Sequence, residues 1–347
     1  MPPLASNTSK MPSPDNAPPL ETALPPLVVI IGPTGVGKTA LALELAARLD
    51  GEIISADSRQ FYRGMDIGTA KATLGERQGI PHHLIDFLNP DQPYSLAEFQ
   101  ADVIRLAGGI TERGRCALLV GGTGQYVRAV TEGWIIPEQA ADPRLRLVLE
   151  KWGAELGPRS LHARLAILDP EAARNIEPDN LRRTVRALEV TFLTGRPFSS
   201  QRQVGSPKCR ALLIGLILPR PELYAHIDAR IGQMLAGGLL DEMRSLLVAG
   251  YPADLPAFSA IGYAEMVQVL AGSLTLEAAR MQMQKRTRTF VRQQANWFKP
   301  DDPNIHWLSP GGEAAHEAIK LVEQFLGDAP TREDHDPHKP RAAPKRV

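Results

Sequence analysis

Apolar residues recur along this chain in two alternating patterns: short unbroken runs, and longer stretches with a period of three to four. Leu27 to Ile31 is an unbroken, largely β-branched run and predicts a buried strand. Leu41, Leu45 and Leu49 then recur every fourth residue, with Ala42 and Ala46 beside them, and predict a helix. Glu52 to Ala56 reads as the next strand, with Asp57 at its carboxyl end. A helix start is marked at Thr69, and His82 to Asp86 reads as a short strand. Ser95 followed by Glu98 has capping-box spacing and opens a helix to about Arg113. Cys116 to Val120 is a further strand, followed by a helix from Gln125 to Glu132. From Asp142 to Gly195 only helical runs appear, at 142–156, 160–168 and 179–193. Strand character returns at 210–217, then helices at 221–236, 239–249, 260–270 and from 276 to about 298. Met283, Phe290 and Trp297, seven apart, predict the buried seam of that long helix. A strand at 305–308 and a helix at 313–325 close the pattern.

These elements predict an α/β fold with a parallel sheet. Its core spans 27–137 and 209–327, an all-helical insertion occupies 138–208, and helices follow at the C-terminal end. Residues 1–26, rich in Pro, Ser and Asn, read as a disordered leader, and 328–347 as a disordered tail.

The turn after the first strand carries the chemistry. Gly32-Pro33-Thr34-Gly35-Val36-Gly37-Lys38-Thr39 fits G-x-x-x-x-G-K-[ST], between a strand and a helix, the context of a phosphate-binding loop. The fold is therefore expected to be P-loop NTPase-like. Glycines let successive N–H groups turn inward onto phosphate oxygens, and the helix terminus adds positive potential. Lys38 supplies a point charge and the Thr39 hydroxyl a ligand for Mg²⁺. Asp57 either faces this loop across the strand ends or caps its own turn; position alone does not decide. Many NTPases have a metal-binding Asp after a later strand. Here Gly121-Gly122-Thr123-Gly124 offers a hydroxyl instead, which tells against ordinary ATP hydrolysis. A diphosphate held in such a loop can be a leaving group. The loop amides, Lys38, Mg²⁺ and Thr123 would then stabilise charge on the departing oxygen, with Asp57 as general base.

Composition narrows the setting. The 347 residues are 43% hydrophobic, enough for a sizeable core, and the formal net charge is zero. Attraction to a polyanion therefore has to come from local clusters. Candidates are Arg144 and Arg146, then Arg182, Arg183 and Arg186 in the insertion, and a stripe of Lys285, Arg288, Arg292 and Lys299 on the long helix. Lys339, Arg341, Lys345 and Arg346 close the tail, where solvation is the plainer reading. The two cysteines, Cys116 and Cys209, lack the spacing of a zinc site or a disulfide framework, and a cytoplasmic setting is expected. No apolar run approaches the ~18 residues of a membrane span. The adjacent His82 and His83 point to opposite sides of a strand and make a poor chelate.

The order of motifs resembles one family. Asp57-Ser58-Arg59-Gln60-Phe61-Tyr62, Met65 to Lys71, Pro81 to Asp86 and Gly121 to Tyr126 are similar to the motifs of the bacterial tRNA dimethylallyltransferases. Arg183 to Glu189, Ile261-Gly262-Tyr263, Thr287-Arg288 and Trp297-Phe298 continue the resemblance, which spans about Leu27 to Ser309. It implies transfer of a dimethylallyl group from dimethylallyl diphosphate to N6 of adenosine 37 of tRNA, with release of diphosphate and help from Mg²⁺. It implies that Asp57 is the base, that Gly32 to Thr39 hold diphosphate, and that Thr123 and Arg146 reach the leaving group. Contacts to the tRNA anticodon stem-loop are implied for Asp57, Ser58, Arg59 and Gln60, for Arg182, Arg183, Thr184, Val185 and Arg186, and for Ser259, Ala260, Ile261, Gly262, Tyr263 and Ala264. Arg288 and Arg292 join them through the basic stripe. No protein partner is implied, and a monomer is expected. Two other readings stay open at this point: a phosphate-loop kinase for a small metabolite, and a nucleotide-dependent RNA-binding switch.

Overall fold

A computed structural model describes residues 24–136, 142–201 and 203–328. Strand β1 (Pro26–Ile31) leads through the glycine turn into α1 (Lys38–Arg48) and β2 (Gly51–Ser55). A run of turns leads to β3 (His82–His83), followed by α2 (Leu96–Glu112), β4 (Cys116–Val120), α3 (Gly124–Thr131) and β5 (Trp134–Ile135). The insertion holds α4 (Pro143–Leu156), α5 (Pro158–Leu168), α6 (Pro170–Asn175), α7 (Leu181–Thr194) and α8 (Phe198–Gln201), and ends in β6 (Gln203–Val204). Then come β7 (Arg210–Leu216), α9 (Arg220–Ala236), α10 (Leu239–Val248), a 3-10 turn at Pro256–Ser259 and α11 (Tyr263–Leu270). The long α12 (Leu276–Gln294), β8 (Ile305–Leu308) and α13 (Gly312–Gly327) complete the chain.

Six strands form one sheet in the order β3-β2-β4-β1-β7-β8, and every pairing in it is parallel. Alternation along β1 explains why helices cover both faces. Val28 and Ile30 enter a core with Leu41, Leu45 and Ile227, while Leu27, Val29 and Ile31 enter another with Phe99, Val103 and Val127. This is the phosphate-loop NTPase-like layering expected of an α/β chain. The insertion has a separate small core around Leu149, Leu161, Leu165, Val185 and Leu188. Pro starts α4, α5 and α6, where its missing N–H is harmless. The chain enters and leaves the insertion through an antiparallel ribbon, β5 with β6, which the hydrophobic pattern is too short to reveal.

Several expectations need correction. Thr69 starts no helix; its hydroxyl turns back to the Met65 carbonyl at 2.6 Å in a run of turns. The seam of α12 is Ala279, Met283, Val291 and Gln294, whereas Phe290 is 39% exposed and Trp297 lies past the helix end. Pro26 already belongs to β1, so the leader expected over 1–26 overruns the strand. Residues 1–23 and the basic tail positions lie outside the described residues.

One buried charge ties the far edge of the sheet together. Glu52 on β2 is 2% exposed. It accepts from Arg113 at 2.8 Å, His83 at 2.7 Å and Arg115 at 3.2 Å. Burial alone would raise its pKa, but these hydrogen bonds and the Arg113 charge hold it down to about 2. A carboxylate depressed in the fold stabilises above its ordinary value, near 4.5, and loses that contribution as pH falls toward 2. Glu52→Gln should therefore lower stability by about 3 kcal/mol at neutral pH. Urea denaturation at several pH values checks this: the gap between variant and parent should close between pH 5 and pH 2. A gap that stays constant would show that Glu52 is not the responsible group.

Candidate active site

Strand register builds the cleft. Ile30 is level with Val120, and Val120 with Ser55, on three adjacent strands. Two residues further on, Gly32, Gly122 and Asp57 leave the sheet side by side at its carboxyl edge, where open α/β sheets bind ligands. Backbone bonds carry the alignment past the strand ends, from Ala56 N–H to the Val120 carbonyl at 2.7 Å and from Gly121 N–H to the Ile30 carbonyl at 3.1 Å. A Cβ on Gly121 would lie 2.3 Å from the Ala56 carbonyl oxygen, so no other residue lets the strands stay this close. With strands ~4.8 Å apart, β2 and β1 stand ~10 Å apart across the cleft.

Gly37 takes a φ of 101°, in the left-handed region, and starts α1 with no side-chain cap. The first N–H groups of α1 are thus left for an anion. Lys38 donates from Nζ to the Pro33 carbonyl at 2.8 Å. Burial of its amine pushes the pKa down to about 8, Asp57 pulls it back up and Arg230 pushes it lower. Thr34, Lys38, Thr39, Asp57, Gln60 and Arg230 line one narrow cleft. Asp57 fulfils both roles left open by its position. Its Oδ1 accepts the Arg59 N–H at 3.0 Å, capping the turn, while the carboxylate faces Lys38 and Arg230. Thr123 is the N-cap residue of α3, yet its hydroxyl makes no capping bond. It is left uncommitted two residues beyond the cleft wall at Gly121.

Arg230 was not foreseen from the sequence. It lies on α9 beside the buried Ile227 and Ile231, and donates to the Thr69 carbonyl at 3.3 Å. Burial pushes its pKa down and Asp57 pulls it up. The readable signal was the run Leu223, Ile227, Arg230, Met234, a charge set within an apolar helical period. Gln60 donates to the same Thr69 carbonyl at 3.3 Å, so the turn at 65–71 forms a wall of the cleft. Glu242 holds that wall, accepting the N–H groups of Asp66, Ile67 and Gly68 at 3.0, 2.8 and 3.2 Å.

The other expected site residues are placed unevenly. Arg59 donates to the Pro256 and Ala257 carbonyls at 3.2 and 3.3 Å and to Ser259 Oγ at 3.1 Å, with the Arg182 charge close enough to act on it. That brings the start of α7 to the mouth beside Asp57. Ser58 is half-buried in the same turn, and Arg183 is exposed. Arg146 does not line this cleft; it pairs with the buried Glu189 at 2.7 Å, which Arg186 shares at 2.8 Å. Thr184 and Val185 are buried on the inner face of α7, and Ala260, Gly262 and Tyr263 are buried too. The side chains of Thr184, Val185, Ala260 and Tyr263 are therefore closed to a nucleic acid in this conformation, which leaves the backbone of these expected tRNA-contacting segments. Tyr263 instead donates to Glu242 and covers Gly68. Ser259 is exposed, and Ile261 and Ala264 are half-buried. The basic stripe is interrupted: Arg288 pairs with Asp228 at 2.6 Å and lies over the Tyr224 ring, while Arg292 is exposed and bonds to Thr289. Sequence spacing on α12 could not show an acid arriving from α9.

Among the described residues no three His, Cys, Asp or Glu groups converge as a metal cluster. The Thr39 hydroxyl suits Mg²⁺ only when phosphate oxygens and water complete its shell, which is how this ion is usually held.

The lowered Lys38 pKa has a measurable consequence. At pH 8 about half of these amines are neutral. An anion in the cradle favours the charged form, so inorganic diphosphate binding at pH 8 should draw in up to about half a proton at Lys38. Calorimetry in buffers of different ionisation enthalpy reads this uptake, which should vanish in Lys38→Arg. Equal uptake by both proteins would take the lysine out of the anion site.

Comparison with known proteins now bears on this cleft. Residues 60–301 match the family model for IPP transferase, and residues 25–86 that for isopentenyl transferase. A tRNA dimethylallyltransferase of Roseiflexus sp. (strain RS-1) is 48% identical over 302 residues, covering 87% of this chain and 99% of its own. One from Dehalococcoides mccartyi is 45% identical over 305 residues, covering 88% and 94%. The solved tRNA isopentenylpyrophosphate transferase of Bacillus halodurans is 40% identical, with a TM-score of 0.65 over 88% of this chain and 98% of that one. A eukaryotic dimethylallyltransferase described as acting on tRNA aligns with a TM-score of 0.75 at 26% identity, over 89% and 81%. Matched by the family model over residues 60–301 and by relatives over most of its length, this chain belongs to the IPP transferase family, that of the tRNA dimethylallyltransferases.

Proposed function

We propose that this chain transfers the dimethylallyl group of dimethylallyl diphosphate to N6 of adenosine 37 in tRNA, releasing diphosphate. The observation that carries the reading is the shared cleft, with Asp57 on one side and Lys38, Thr39 and Arg230 on the other. In the proposed reaction the N6 lone pair attacks the allylic carbon, and an N–C bond forms as the C–O bond to diphosphate breaks. The bonding pair leaves with the diphosphate oxygen. Lys38, Arg230 and the loop amides meet the charge that develops there, and the Thr123 hydroxyl donates to the departing oxygen. Asp57 takes the proton from N6, whose lone pair is delocalised into the ring and is a poor nucleophile unaided. Mg²⁺, held through Thr39 and the phosphates, would add positive charge at the leaving group. The adenine has to leave the stacked anticodon loop to reach the cleft. Arg59, Arg182 and Arg183 at its mouth would then meet the RNA backbone. The reading also takes the protein to act as a cytoplasmic monomer, since one chain supplies every group named; among the described residues no helix is long and apolar enough to cross a membrane.

Offering dimethylallyl diphosphate and ATP separately with unmodified tRNA, then weighing the adenosine, tests the class of reaction. A prenyl mass increase is expected with the first only; a phosphoryl increase with ATP would favour a kinase. Asp57→Asn is the informative variant, because it keeps an oxygen to cap the Arg59 N–H but is no base. Single turnovers should slow by ~10²–10⁴ with tRNA affinity little changed.

The arginines of α12 separate in a second test. Arg292→Ala should flatten the salt dependence of log K for tRNA by about one. Arg288→Ala should instead leave Asp228 unpaired and lower the melting temperature, with the slope nearly unchanged. Equal effects of the two on the slope would return Arg288 to the RNA surface.

A further inference from the structure

Gln294 ends α12, far along the chain from the cradle and only 8% exposed. Its side-chain amide makes two bonds that point away from its own helix. Oε1 accepts the Thr34 N–H at 3.0 Å, and Nε2 donates to the Gly122 carbonyl at 2.9 Å. The partners fix which end is which, since a backbone N–H only donates and a carbonyl only accepts.

Each bond grips a peptide unit next to a group of the reaction. The Thr34 N–H belongs to the Pro33–Thr34 peptide, whose carbonyl accepts the Lys38 amine at 2.8 Å. That peptide is held at both ends, by Lys38 on the oxygen and by Gln294 on the nitrogen. Bonds in such a chain strengthen one another. The Gly122 carbonyl belongs to the Gly122–Thr123 peptide, immediately before the uncommitted hydroxyl. Gln294 thus cross-links the backbone that seats Lys38 to the backbone that carries Thr123. Neighbouring contacts hold it still: Arg128 donates to the Trp297 carbonyl, and the Trp297 side chain fills the space a Cβ on Gly124 would need, 2.1 Å away. A Cβ on Gly122 would itself stand 2.4 Å from Gln294 Nε2, so position 122 and the glutamine amide exclude each other's alternatives.

We propose that Gln294 is a positioning residue of the transfer reaction, setting the distance and facing of Lys38 and Thr123 about the leaving diphosphate. The assignment rests on the dimethylallyl-transfer reading above. Gln294 touches no substrate; its effect passes through two peptide groups. Asn is one methylene short of spanning both, and Glu has no donor for the Gly122 carbonyl. Leu keeps the bulk and loses both bonds.

Three variants test it: Gln294→Leu, Gly122→Ala and the double. A displacement of a few tenths of an ångström between groups that must act together is expected to lower kcat by ~10–100-fold. KM for tRNA should stay within about threefold, and the melting temperature within a few degrees. Because Gly122→Ala breaks the same contact from the other side, the double variant should be no slower than the slower single variant. Affinity for inorganic diphosphate, read by calorimetry, should also fall in Gln294→Leu, since the cradle backbone loses an anchor. This last readout needs no prenyl transfer. If the parent protein transferred no prenyl group, the function would be in error, yet the diphosphate affinity would still report on the cross-link. Unchanged kcat in a folded Gln294→Leu protein, or a double variant whose loss is the product of the two single losses, overturns the proposal.

Discussion

The structure depends on three neighbouring parallel strands ending at one level. Because Ile30, Val120 and Ser55 are in register, the residues two places beyond each emerge together. Parallel pairing with slow right-handed twist keeps that level over the width of a small ligand. The glycine turn, the Thr123 turn and Asp57 need no direct contact with one another; the sheet holds them. A one-residue slip in either pairing would turn Asp57 or the glycine turn to the opposite face. The buried Glu52 cluster at the other end of β2 and the close approach at Gly121 both act against such a slip.

Electrostatics then sharpen what the register assembles. The protein carries no net charge, and many of its cations are neutralised locally. Arg146 and Arg186 share Glu189, Arg286 meets Glu265 and Arg288 meets Asp228. In the cleft the balance differs: Lys38 and Arg230 face a single acid, Asp57. Burial makes both cations expensive, as the depressed Lys38 pKa shows. A site that disfavours its own positive charge when empty gains most from an anion that restores it. Spending desolvation in this way is sensible only where the ligand is strongly anionic.

How far the sequence foretold this varies with the range of the interaction. The cradle, the strands and the acid at the end of β2 are local patterns, and they were legible. Asp57 capping its own turn was also weighed, because an Asx turn is a short-range feature. Arg230 and Gln294 were not seen. Nothing near Gln294 in sequence marks it and Arg230 shows only as a charge within an apolar helical period, since their partners lie in the turn at 65–71, in the cradle and at Gly122. Tyr263 was read as an RNA contact, yet its place is set by Gly68 and Glu242, contacts between α11, a distant turn and α10. The stripe on α12 is broken at Arg288 for the same reason. Periodicity reports which residues share a helix face and says nothing of an acid presented by another helix.

Arg230 and Gln294 also show why the chain needs its second half to complete the first. The cradle, Asp57 and Thr123 all lie before the insertion, so the groups proposed to react are present by Thr123. The counter-cation and the cross-link arrive only with α9 and α12. Those helices pack on the same apolar layer as α1, where Ile227, Met283 and Val291 join Leu41 and Leu45. Hydrophobic burial on that face thereby delivers two polar groups to the edge of the sheet. The same helix that ends in Gln294 presents Arg292 outward two residues earlier, so its inner end holds the cradle and the Thr123 turn together while Arg292 stays open to solvent. One rigid element thus bounds both halves of the proposed reaction, which explains why its buried seam has to end in an amide rather than in another apolar residue.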